Sequence, residues 1–154
     1  MELPESKLIK SEIILRDMDL NDEVKMTRKS LVRWLALSLG IISKNESRQS
    51  VLNVLEALLY YHLKEKKEPN YQDLVEYFSK SNIQMNEKTI RYHLTQLRKM
   101  GILEDNRGTY RFSGFQYDDL SSALETTYQK RAYMAFFNIK QSLDILQKMY
   151  EEQK

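Results

Sequence analysis

Four side chains at helical spacing, Lys88, Tyr92, Thr95 and Lys99, put cations beside hydrogen-bonding and planar groups on one stripe, flanked by Arg91, Gln96 and Arg98. At about 100° per residue the stripe lies opposite Ile90, Leu94 and Leu97, which fall within roughly 60° of one another. One side is therefore core and the other faces solvent or a groove. Lys and Arg are the side chains that anchor phosphates, and Arg, Thr, Gln and Tyr are suited to base edges. A purely solubilising face more often alternates Glu with Lys, although a solvated basic face is the ordinary alternative for any helix exterior.

These residues need a framed helix. Asn86 is placed to accept from the orphan amides of a first turn, and Gly101 stands where a left-handed residue ends a helix after Met100, so residues 87–100 are predicted as one helix. Upstream, Pro69 stops a preceding helix and Asn70 caps a short one over 71–81, with Leu74, Val75 and Phe78 on its apolar side. The link 82–85 is slightly longer than the 3 to 4 residues of a tight helix-turn-helix. Downstream, Ile102 and Leu103 enter a strand, residues 105–108 turn with Gly108 available for positive φ, and Thr109, Tyr110, Arg111 and Phe112 return. Tyr110 and Phe112 share one face and Thr109 and Arg111 the other, while Arg107 sits at the tip. A hairpin of this size can lay one or two cations beside phosphates or in a narrow minor groove. A bare structural hairpin is the alternative.

The run Lys88-Thr89-Ile90-Arg91-Tyr92-His93-Leu94-Thr95-Gln96-Leu97-Arg98-Lys99-Met100-Gly101-Ile102-Leu103 resembles the recognition helix and first wing strand of prokaryotic, especially archaeal, winged helix-turn-helix transcriptional regulators. The resemblance covers about residues 47–114 and identifies no subfamily. It implies DNA-facing roles for Lys88, Thr89, Arg91, Tyr92, Thr95 and Lys99, with Arg107 and Arg111 on the wing; Gln96 joins them from its place on the stripe. The chain departs from the pattern in its short wing and in lacking the usual small residue early in the 71–81 helix. Winged helices also serve as protein-interaction modules, so fold alone does not fix function.

Composition excludes more than it assigns. The 154 residues are 42% hydrophobic and 30% charged, with a net charge of +2 that by itself announces no nucleic-acid partner. Distribution is more telling: residues 86–114 hold six Lys or Arg against three acids, which concentrates cations where a groove would lie. The absence of cysteine rules out disulfides, thiol chemistry and Cys-ligated metal. Two sequence-distant histidines, His62 and His93, make a poor metal site and read as packed residues. The four glycines form no phosphate-cradling loop, and no serine elbow is present, so neither an enzyme nor a cofactor is expected. The apolar stretch 31–42 is about 12 residues long and contains Arg33, short of the roughly 20 needed to cross a bilayer. Without a secretory form at the N-terminus, a cytoplasmic location is expected.

The flanks point to assembly. Residues 1–26 are open between a short strand at Ile13 to Leu15, a helical turn and an arm that binds a partner subunit. Thr27 is expected to cap an apolar helix reaching Ile42 (segment 27–44), and a helix from an Asn45 cap to about Lys67 opens the winged domain, 45–114. Leu31, Trp34 and Leu35 are among too many apolar residues for one stripe, so the first helix must be covered on more than one side. Within segment 115–154, Asp118 or Asp119 caps a final helix of about 33 residues, near 50 Å. Its residues Phe136, Ile139, Leu143, Leu146 and Tyr150 advance by alternating 3 and 4, the spacing of a helix-pairing seam. A twofold dimer through both helices is expected, the alternative being a terminal helix broken near 115–119 and folded back on its own domain. The expected whole is mainly α with a small β-hairpin: a homodimeric, sequence-specific duplex DNA-binding repressor. Its rival is a winged-helix protein-interaction module. The ten tyrosines and Trp34 leave room for a small-molecule effector, though aromatics at helical spacing are more often core.

Overall fold

The computed structural model describes residues 1–45, 48–116 and 118–153. Among the described residues, α-helices and one hairpin follow in the order α1 (Arg28–Ser38), α2 (Gln49–Leu59), α3 (Tyr71–Lys80), α4 (Glu87–Lys99), β1 (Leu103–Asn106), β2 (Thr109–Phe112) and α5 (Leu120–Glu152). The chain is thus mainly helical with a two-stranded antiparallel sheet.

Helix starts follow local chemistry. Asn86 Oδ1 accepts the Thr89 N–H at 2.8 Å. Asn70 and Asp73 cap each other reciprocally, at 2.8 and 2.9 Å, and Asp119 accepts from the Ser121 N–H and from the Ser121 and Ser122 hydroxyls. Each such cap is worth about 1 kcal/mol. Of the two aspartates at 118 and 119, the second is the cap. The apolar sides of α2, α3 and α4 meet in one core, where Leu55, Leu58, Leu74, Ile90, Leu94 and Leu97 are buried. Both histidines join it: His93 Nε2 lies 2.9 Å from the Ser50 hydroxyl, tying α4 to α2, and the His62 ring packs edge-on against Phe112.

The hairpin pairs Leu103 with Phe112 and Asn106 with Thr109. Its two-residue turn places both Arg107 (φ 58°) and Gly108 (φ 92°) in the left-handed region, the type I′ geometry that matches strand twist. A further backbone link lies on its outer side. Tyr110 N–H donates to the Pro69 carbonyl at 2.8 Å, and Asn70 forms an isolated antiparallel bridge with Thr109. The segment that enters α3 is therefore stitched to β2.

Two helices differ from expectation. α1 ends at Ser38, four residues before Ile42, because Gly40 turns left-handed (φ 71°) and the Arg16 guanidinium caps the carbonyls of Leu37 and Ile42 at 2.6 and 2.8 Å. α2 begins at Gln49 with Arg48, not Asn45, at its N-cap position. After Leu59 a wider turn, Tyr60–Glu65, ends at Lys66 in the left-handed region. Residues 1–26 form two 3-10 turns, Pro4–Leu8 and Val24–Met26, joined by extended chain. That chain lies across α1: Arg16 N–H donates to the Ser38 carbonyl at 2.8 Å, the Trp34 indole donates to the Asp19 carbonyl at 2.8 Å, and Ile14 presses on Gly40. Trp34 and Leu35, expected at a dimer contact, are half-buried within their own chain, while Leu31 stays exposed.

Helix α5 is unbroken. Its first three turns pack on the body through Leu120, Ala123, Leu124 and the buried Tyr128, and Thr127 donates to the Ser113 carbonyl at 3.1 Å. From residue 133 to 153 every side chain is exposed. Among the described residues, no helix is long and apolar enough to cross a membrane.

Candidate nucleic-acid interface

Helix α4 presents its basic stripe outward. Lys88, Arg91, Tyr92, Thr95 and Lys99 are exposed, whereas Thr89 and Gln96 are half-buried at its margins. The side chains differ in how far they are already engaged. Arg91 pairs with Glu87 at 3.0 Å and its guanidinium lies over the Tyr71 ring, 4.0 Å from the centroid. Such stacking fixes the plane of the fork and leaves its edge available. Arg98 reaches Asp105 at 3.9 Å. Lys88 and Lys99 form no ion pair among the described residues, and neither does Arg107 at the hairpin tip.

Arg111 is placed differently from the expectation. Its Nε meets Glu104 Oε1 at 3.2 Å and its Nη1 meets Glu68 Oε2 at 3.8 Å, so it stitches the hairpin to the segment before α3. Glu68 also accepts from Asn106 and Thr109, each at 3.0 Å. A guanidinium held between two carboxylates offers little net field to a phosphate. Among the described residues, the cations of this face that form no ion pair thus come from the two ends of α4 and from the hairpin tip.

Sequence reasoning missed Tyr71. The signal was present only as an aromatic residue directly after an N-cap, and nothing in the spacing says that Arg91 of another helix lies over it. Beyond α2, Lys67 pairs with Asp73 at 3.1 Å, anchoring that segment to α3.

Other chemistry is sparse. Among the described residues no three His, Asp or Glu side chains gather as metal ligands. A cleft of about 720 Å³ lies between α1, the end of α2 and the start of α5; Leu31, Leu35, Leu59, Leu63 and Leu124 line it, with Tyr60 and Tyr77 also in its wall. Trp34 is not part of it. Comparison of the chain with protein-family models, with curated proteins and with solved structures gives no match in any of the three.

Proposed function

We propose that this chain is a winged-helix protein that binds duplex DNA and acts as a homodimeric transcriptional repressor, with α4 in the major groove and the β1–β2 hairpin as the wing. The observation that carries the reading is the outward stripe of α4, where Lys88 and Lys99 stand ready for phosphates on either side of Arg91, Tyr92 and Thr95. The stitching of Pro69 and Asn70 to β2 supports the wing: it fixes the hairpin against the entry to α3, so that Arg107 and α4 keep one geometry toward a common partner. Preorganisation of this kind lowers the ordering cost of binding. A protein-assembly role is favoured by one observation, the engagement of Arg91 and Arg111 by carboxylates of the same chain.

Selection of duplexes from a random pool, followed by titration at two salt concentrations, separates the readings. A DNA reader enriches a motif and loses affinity steeply with salt. Absence of enrichment together with salt-insensitive, weak binding favours the assembly module.

A further inference from the structure

The distal half of α5 leaves the body with its apolar side chains bare: Phe136 is 55% exposed, Leu143 59% and Tyr150 69%. A helix of this composition in water needs a cover. The seam residues Ala132, Phe136, Ile139, Leu143, Leu146 and Tyr150 are symmetric about residue 141. Reversed end to end, Ala132 meets Tyr150, Phe136 meets Leu146, and Ile139 meets Leu143.

We infer that the occupant of this face is the same helix of a second copy, running antiparallel with the twofold axis at residue 141. In that register each layer pairs a smaller with a larger or a branched with a branched side chain, as knobs in holes require. Ala135 beside the seam likewise faces Met149 of the second copy. A parallel pair would instead stack Tyr150 on Tyr150 and Ala132 on Ala132, crowding one end and leaving a void at the other. The seam also has limits: followed toward the body, its line continues as Gln129, Glu125 and Ser122, which are polar and exposed, so pairing stops where α5 docks. At the rim Lys140 meets its own copy, and Asp144 one turn along the same flank offsets that charge.

The geometry deepens the DNA reading, and this part rests on it. Arg131, where α5 leaves the body, lies ten residues from the axis, so the points at which the two helices leave their bodies sit about 30 Å apart along the coil at 1.5 Å per residue. That is close to the one-turn separation, about 34 Å, of half-sites read by symmetric dimers.

The chain has no cysteine, which makes the register directly testable. Light scattering of the full chain should give twice 18.4 kDa, and Leu143→Glu should give the single-chain mass. Ala132→Cys mixed with Tyr150→Cys should form a disulfide between the two variants, while Tyr150→Cys alone should not, its two copies lying about 27 Å apart along the axis. A parent of single-chain mass, a Leu143→Glu dimer, or self-crosslinking at Tyr150→Cys overturns the proposal. If the dimer and its crosslinks appear but no duplex is bound, the pairing stands and the DNA reading fails.

Discussion

The Arg131 guanidinium of α5 donates to the carbonyl of Met100, the residue that closes α4. A second arm of the same guanidinium holds Glu12, so one side chain joins the terminal helix, the outward basic helix and the N-terminal arm. The chain path between them leaves no room for bulk: a Cβ on Gly101 would lie 3.2 Å from this guanidinium, at a φ of +80° that only glycine adopts without strain. Arg131→Met keeps the aliphatic stem and removes both bonds. It should lower stability by about 1 to 2 kcal/mol, the lower part of the range for charged hydrogen bonds because the group is partly exposed. Urea unfolding checks this through a fall in midpoint at constant slope; an unchanged midpoint means the junction is held by packing alone.

Arg91 is shared between Glu87 and the prospective groove. Glu87→Gln should release it and raise affinity for duplex DNA, whereas Arg91→Ala should cost about 1 to 3 kcal/mol on the selected sequence and flatten preference. Lys99→Ala should weaken all sequences alike. Anisotropy titrations on selected and scrambled duplexes measure all three, and equal losses for Arg91→Ala on both duplexes would reassign it to phosphate anchoring.

Arg107 and Arg111 look equivalent on a strand diagram and should behave oppositely. Arg107→Ala should reduce the slope of log K against log salt by about one for each phosphate that the arginine neutralises, with stability unchanged. Arg111→Ala should leave the slope alone and destabilise the hairpin, since Glu68 and Glu104 are deprived of their common partner. A flatter slope for Arg111→Ala and none for Arg107→Ala would refute the assignment of the wing tip.

Much of this arrangement is legible in the sequence, and the reason is local. Asn70, Asn86 and Asp119 cap helices through their own short side chains, and the period of Ile90, Leu94 and Leu97 fixes which face turns inward, so α4, the hairpin and α5 lie within a residue or so of expectation. Three features that the sequence does not show are long-range. α1 stops early because Arg16, from 21 residues upstream, satisfies its last carbonyls. Arg111 is neutralised by Glu68, which the sequence places 43 residues away and the fold places beside it. The position of Tyr71 under Arg91 belongs to the same class, as it depends on how α3 and α4 cross.

Acid should weaken the fold through His62. Burial is the main cause that pushes its pKa below the ordinary value, and Nδ1 donates to the Leu58 carbonyl at 2.7 Å, which fits the neutral ring. The unfolded chain binds a proton near pH 6.5 and the folded chain only at lower pH. Stability is therefore fully present above about pH 6.5 and falls as pH drops below it, by at most about 1.4 kcal/mol per pH unit. Denaturation midpoints between pH 7 and 5 should show this for the parent and less for His62→Asn, whose amide can still reach Leu58. Identical pH profiles would locate the acid sensitivity elsewhere.

The bare outer half of α5 has one more consequence, for mass action. Residues 133–153 are exposed along their whole length, so this stretch lacks the tertiary packing of an apolar face from which most helical stability in proteins comes. Its folding is then linked to whatever it binds. Secondary structure, ordinarily a property of one molecule, here becomes a function of how many are present: helicity should rise with protein concentration and level off once the outer half is covered. The body of the chain, which carries the core and the basic helix, should show no such dependence.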